Sequence, residues 1–128
     1  MHKSRLSGMI IDCQTQDLRA AAEFWSKALG MEQIEKPDDE PAPEKYIHLK
    51  NTDSHMDVEV QTVPHPSRVH LDIETDDVPA ETARLEQLGA KVVQKIESWV
   101  VMEAPTGQRF CIVRASRPNF AERANVWK

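Results

Sequence analysis

Nowhere along the chain do lysines or arginines cluster. Nucleic-acid binders need a basic stripe to meet phosphates, and a formal net charge of −5 with a pI near 5.5 works against one. No nucleic-acid partner is expected. Long apolar runs are missing too: the longest are a few residues, far short of the ~20 that cross a bilayer, and the opening MHKSRLSG lacks the apolar core of a signal peptide. The sequence therefore predicts a cytoplasmic protein with no membrane partner. Cysteine is limited to Cys13 and Cys111, and in that compartment both are expected as reduced thiols. There is no Gly-rich phosphate loop, no nucleophile elbow and no HExxH. Covalent hydrolase chemistry thus has no support, since Cys111 as a nucleophile would need a nearby base and only His70 qualifies.

What the chain does contain is an internal echo. IIDCQTQDLRAAAEFWSKALG, from Ile10 to Gly30, is repeated in plan by VHLDIETDDVPAETARLEQLG, from Val69 to Gly89. Each copy is an alternating apolar run, an acidic cap (Asp17, Asp77), a helical pattern and a Leu-Gly stop (Leu29-Gly30, Leu88-Gly89), offset by 60 residues from Ile10 to His70 and by 59 from Gly30 to Gly89. Two copies mark a duplicated module and not a solenoid. A length of 128 residues with 40% hydrophobic content suits one domain, or two fused half-size modules sharing a core.

Taken in order, a strand is predicted over Leu6–Gln14, then a helix capped by Asp17 whose Leu18, Ala21, Ala22, Trp25 and Leu29 recur at helical spacing up to Gly30. Met31–Glu35 reads as a short strand. KPDDEPAPEK, Lys36 to Lys45, cannot continue it, because three prolines and four acidic residues remove ladder donors and repel each other; a solvated loop or lid is expected there. Tyr46–Lys50 and His55–Val63 are strands around the turn Asn51-Thr52-Asp53-Ser54. Pro64-His65-Pro66-Ser67 links the modules. The second module reads strand Val69–Glu74, helix Val78–Leu88 with Val78, Leu85 and Leu88 inward, strands Lys91–Ile96 and Trp99–Glu103, turn Ala104–Gly107 and strand Arg109–Arg114. A short helix from about Asn119 is expected in the tail, with Phe120 and Trp127 packing back. His48, His55 and His65 have no ligand spacing and are expected at the surface.

These twin modules, the cap–helix–Leu-Gly phrase in both, the VHLDI strand and the closing APTGQRFCIV, which is similar to a frequent D-P-x-G-N-x-F-x-[LV] ending, resemble the vicinal oxygen chelate superfamily. Within it the match is to the glyoxalase-like domain group, alongside glyoxalases, bleomycin-resistance proteins and dioxygenases. The resemblance spans residues 6–114. It implies an α+β fold in which two βαβββ modules, 6–63 and 69–114, form an incomplete barrel around a cavity. They would make a single glyoxalase-like domain over 1–114, with the tail 115–128 packed back on the body. It also implies a homodimer and, in the enzymes, a divalent metal in the cavity.

The superfamily's metal enzymes draw four inward ligands, one each from the first and last strand of each module. Carried onto this chain, those positions are Ile10, Gln61 (or Glu59, two residues earlier on the same face), His70 and Cys111. Isoleucine cannot bind a metal, so no cofactor is expected; a Zn, Ni or Fe ion, if one bound, would rest on His70, Glu59 and Cys111. Otherwise Cys111 reads as a small buried hydrophobe. On the strand Val69–Glu74 the face of His70, Asp72 and Glu74 is polar throughout, which suits either solvent or a lined cavity. The resemblance favours the cavity, with His70 as the catalytic candidate and Asp12, Glu59, Gln61, Asp72, Arg109 and Cys111 as ligand-binding candidates. Arg109 is the cation expected on that face, either as counter-ion to Glu59 or Asp72 or free to grip an anionic group. Two functions remain open: a protein that binds a small organic molecule without the full metal site, or a lyase or isomerase of the lactoylglutathione lyase type or a dioxygenase-related enzyme. In the metal-free version of the enzyme His70 acts as general base.

Overall fold

The computed structural model describes residues 1–34, 45–51 and 56–128. Nearly all of the acidic loop expected as a lid, and most of the turn after Asn51, with His55, fall outside the described residues. The chain divides into two compact units, Gly8–Val69 and His70–Lys128, the second of which also takes in Met1–Ser7.

The Gly8–Val69 unit is built from the second half of β1 (His2–Cys13), α1 (Leu18–Leu29), β2 (Gln33–Ile34), β3 (Tyr46–Leu49) and β4 (Asp57–Thr62), in sheet order β2-β3-β4-β1. β1 and β4 run parallel, with Ile10 beside Glu59 and Asp12 beside Gln61, and β2, β3 and β4 are antiparallel in turn. A parallel pair needs a long crossover, which α1 and the two intervening strands supply. α1 begins where the Asp17 carboxylate accepts the Ala20 N–H at 3.0 Å, filling a donor the helix cannot satisfy itself. It ends at Gly30, whose φ of 68° lies in the left-handed region that costs glycine least. Ile11, Leu18, Ala22, Ile47, Leu49, Val58 and Val60 form its core, with Cys13 and Trp25 packed against them. Burial pushes the Cys13 thiol up, and the Asp12 charge adds to that against a hydrogen bond with Trp25, as befits a structural cysteine.

The other unit repeats the plan with β5 (Arg68–Thr75), α2 (Val78–Gln87), β6 (Lys91–Ile96), β7 (Trp99–Glu103) and β8 (Arg109–Arg114), followed by α3 (Phe120–Arg123) and β9 (Asn125–Trp127). β5 is parallel to β8, and β8, β7 and β6 follow as an antiparallel meander. Asp77 caps α2 through the Ala80 N–H at 3.0 Å. Gly89, at φ 104°, ends the helix as Gly30 ends α1, and here a side chain would also meet Pro105 Cγ at 3.1 Å. Leu85, Ala90, Val100, Met102 and Ile112 make the core. The α+β class and the doubled βαβββ order are therefore present. Among the described residues, no helix is long and apolar enough to cross a membrane.

Two local expectations are corrected. β1 starts at His2 and not Leu6, because His2, Lys3 and Ser4 pair with β9, a strand of three residues too short to announce itself. Leu88 is 66% exposed; α2 turns Glu81, Thr82 and Leu85 inward instead. Glu81 can be buried because its carboxylate accepts from Arg84 Nε (2.7 Å) and Nη2 (2.8 Å) and lies 2.8 Å from His2 Nε2. The tail closes over the same group. Trp127 Nε1 donates to Ser4 Oγ at 2.8 Å, and the Arg84 guanidinium stands 3.9 Å from the Trp127 ring centre. Phe120 lies under Arg5, 5.5 Å away.

Candidate functional site

Alternation along β5 sends His70, Asp72 and Glu74 to one face, and their fates there differ. Glu74 is 1% exposed and accepts from Arg5 Nε at 2.9 Å, while Arg5 Nη2 donates to the Pro118 carbonyl at 3.0 Å. It is tied into the tail and is not a ligand group. His70 and Asp72 remain partly open, with side chains 14% and 20% exposed. The parallel register sets Cys111 of β8 directly beside Asp72. The ligand atoms of His70, Asp72 and Cys111 consequently all lie within 4.8 Å of one another.

Two details define this cluster. His70 Nε2 stands 3.4 Å from Asp72 Oδ1, within ion-pair reach, yet Oδ1 is buried and accepts no hydrogen bond from the described residues. The backbone beneath is pinned, since Ser7 Oγ donates to the Asp72 carbonyl at 3.2 Å. A basic imidazole, a carboxylate and a thiol converging in a half-buried patch can accept protons, polarise a bound carbonyl or coordinate an ion.

Of the expected ligand-binding residues, Asp72, Arg109 and Cys111 belong to the same unit as His70, and Asp12, Glu59 and Gln61 to the Gly8–Val69 unit. Within that unit Asp12 neighbours Gln61 across the β1–β4 ladder and is 3% exposed. Glu59 lies 3.3 Å from His48 Nδ1, and His48 stacks edge-on against Tyr46 at 5.2 Å. His48 therefore has a specific partner that its lack of ligand spacing did not suggest; the antiparallel register of β3 on β4 sets the two opposite each other. Arg109 has a partner that its strand pattern did not name: its Nε lies 3.3 Å from Glu103, its cross-strand neighbour on β7. Both side chains are about one-third exposed, at 34% and 38%, so the pair is a solvated one. The sequence signal for Asp72 as a third donor beside His70 and Cys111, in place of Glu59, is the His-x-Asp spacing on one strand face.

The family described as glyoxalase-like domain matches residues 8–113 of this chain. Among solved structures, a hypothetical protein from Bacillus halodurans superposes with a TM-score of 0.63 at 8% identity, covering 89% of this chain and 96% of that one. Methylmalonyl-CoA epimerase from Mycobacterium tuberculosis gives 0.60 at 17% identity, covering 91% and 90%. An extradiol ring-cleaving dioxygenase from B. fuscum gives 0.57 at 13% identity, covering 88% of this chain but 32% of the larger enzyme. At such identities these likenesses establish the fold alone. No curated protein sequence matched the chain.

Proposed function

The chain belongs to the glyoxalase-like domain family, and from that premise we propose that it binds a small organic molecule on the face of His70, Asp72 and Cys111, without the family's four-strand set of metal ligands. The observation that supports this most is the convergence of three chemically different donors within 4.8 Å on a half-buried strand face. A patch of that kind has polar groups ready to orient a ligand and enough shelter to make their hydrogen bonds count. Another epimerase structure with this fold, at 18% identity and TM-score 0.62, was solved in complex with methylmalonyl-CoA. In this chain Arg109, beside the cluster on β8, offers its outer guanidinium nitrogens to an anionic ligand group, since the Glu103 pair engages Nε from the side of β7.

The second reading is an enzyme of the lyase or isomerase type, favoured by the position of Asp72 next to His70. Asp72 Oδ1, 3.4 Å from His70 Nε2, can orient the imidazole, and His70 then acts as general base toward a carbon acid. In either reading the protein works in the cytoplasm and as a homodimer, which light scattering at micromolar concentration tests directly.

The decisive experiment is a thermal-shift screen of small organic acids, with lactate, malonate and acetohydroxamate as first probes, followed by titration calorimetry. A hit should lose at least about tenfold in affinity in His70→Ala, the scale of a lost charged hydrogen bond. Hits whose affinity is untouched by His70→Ala, Asp72→Asn and Arg109→Ala alike would remove this face from the function.

A further inference from the structure

The geometry points to a metal site that this chain assembles from its second module alone: His70, Asp72 and Cys111 hold one divalent ion of the zinc or cobalt class and leave a coordination position open. The inference rests on the ligand-binding reading of the same face, to which it adds an anchor for the bound molecule's oxygen.

The family's own arrangement cannot form here. It takes one donor from each of four strands, and the position on β1 is Ile10, a side chain with no donor atom and 2% exposed. What the chain has instead is a compact set on two adjacent strands. His70 and Asp72 are two apart on β5 and so share a face, and Cys111 is the register partner of Asp72 on β8.

The distances fit an ion site. Zinc-type ions bind imidazole nitrogen and carboxylate oxygen at about 2.0–2.2 Å, so in a tetrahedral shell two such donors stand about 3.4 Å apart. His70 Nε2 and Asp72 Oδ1 are 3.4 Å apart, and Oδ1 is buried without a hydrogen bond from any described residue. A hydrogen-bonded pair would sit closer, near 2.8 Å as His2 and Glu81 do in the same unit. The orphaned oxygen is thus placed at ligand spacing from the imidazole nitrogen. The 4.8 Å limit on the whole triangle accommodates the longer bond of about 2.3 Å that a thiolate makes.

The donor types select the ion. One nitrogen, one sulfur and one oxygen suit zinc and cobalt, whereas magnesium and calcium want shells made of oxygen. Three protein donors leave the fourth tetrahedral position to water or to an oxygen of the ligand, which is the pattern of working and not purely structural zinc sites. Cys111 binds as thiolate, so uptake of the ion releases the thiol proton to the buffer and is favoured by rising pH.

The test uses the whole chain freed of metal with a chelator and titrated with Co²⁺. One ion per chain should bind, with near-ultraviolet thiolate-to-cobalt absorption and the visible bands of a tetrahedral site, and Zn²⁺ should displace it while Mg²⁺ does not. Cys111→Ser should remove the near-ultraviolet absorption with an unchanged circular dichroism spectrum, and Asp72→Asn and His70→Gln should each weaken binding by at least about tenfold. Cobalt bound without thiolate absorption, or an affinity that all three substitutions leave alone, would overturn the site. Stabilisation of the metal-free protein by acetohydroxamate, together with no cobalt uptake, would overturn the metal site and leave the small-molecule reading standing. Cobalt uptake as described, with no organic acid of the panel stabilising the protein, would keep the metal and overturn that reading.

Discussion

Glu81→Gln is the substitution that most directly probes the polar knot where the two chain ends meet. The wild-type carboxylate is fully buried and takes two hydrogen bonds from Arg84 and one contact from His2. Glutamine keeps the shape and one acceptor oxygen, but its NH₂ faces a cation and the charge is gone. Hydrogen bonds to a charged group contribute about 1.5–3 kcal/mol each and neutral ones about 0.5–1.5. Arg84 is 24% exposed and can partly recover its loss in water. The expected cost at pH 7 is therefore about 2–3 kcal/mol, which lowers the melting temperature by about 8–12 °C in a domain of this size. The pH dependence is a second readout. Burial alone would raise the Glu81 carboxyl's pKa; the donors of Arg84, His2 and Ser4, with the charge of Arg84, outweigh it and hold the group below the usual carboxylate range. A folded-state pKa below the unfolded one stabilises the protein fully above ~4.3, and that contribution is lost as pH falls through the folded value. Glutamine does not titrate, so the gap between the two proteins should close as the pH falls below about 4.3. Melting curves followed by circular dichroism across that range check both statements. A variant within about 1 kcal/mol of wild type at pH 7, or a gap that persists unchanged at pH 3, would refute the account of the knot.

Other substitutions bear on separate parts of the fold. Arg5→Ala strands the 1%-exposed Glu74 and should cost about 3–5 kcal/mol by urea unfolding; it should also speed tryptic cleavage in the tail, whose Pro118 carbonyl loses its donor. The double change Arg5→Met with Glu74→Leu should recover most of that loss, as buried pairs replaced by apolar groups usually do. Gly30→Ala should cost about 1–2 kcal/mol from backbone strain alone, because nothing lies within 4 Å of the added methyl. Gly89→Ala should cost more, because Pro105 is in the way; equal losses at the two sites would contradict the contact. Arg109→Ala should change stability by about 1 kcal/mol or less, since its pair with Glu103 is solvated, and a larger loss would indicate a buried partner.

Much of the scaffold is legible in the residues. Asp17 and Gly30 bracket α1 to the residue, because a side-chain cap and a left-handed glycine are local requirements that sequence states outright. The strand Arg109–Arg114 is equally plain, bounded by the turn around Gly107. Side-chain partners were harder, for a physical reason: they depend on register between strands, which one strand's pattern does not carry. Arg109 meets Glu103 because a hairpin places them opposite, and Glu74 meets Arg5 because β1 extends four residues further back than its apolar alternation shows. The same holds at the candidate site. The polar face of His70 and Asp72 is visible in the alternation, but the closeness of Cys111 comes from the β5–β8 ladder. Leu88 illustrates the opposite error, a hydrophobic residue at the right spacing that lies past the last helical turn and faces solvent.

Strand β1 gives its first half, with Met1–Ser7, to a unit whose remaining residues begin only at His70. On a ribosome this means that Met1–Ser7 are made well before the residues that hold them. Lys3, whose backbone N–H is held by Asp76 and whose carbonyl accepts from Thr75 Oγ1, has to wait for more than seventy further residues to be joined. At about 5–20 residues per second that delay is about 4–14 s, the time in which the intervening Gly8–Val69 stretch is made. Met1–Ser7 therefore wait several seconds without those partners, and this interval is when a chaperone or a neighbouring nascent chain has access to them.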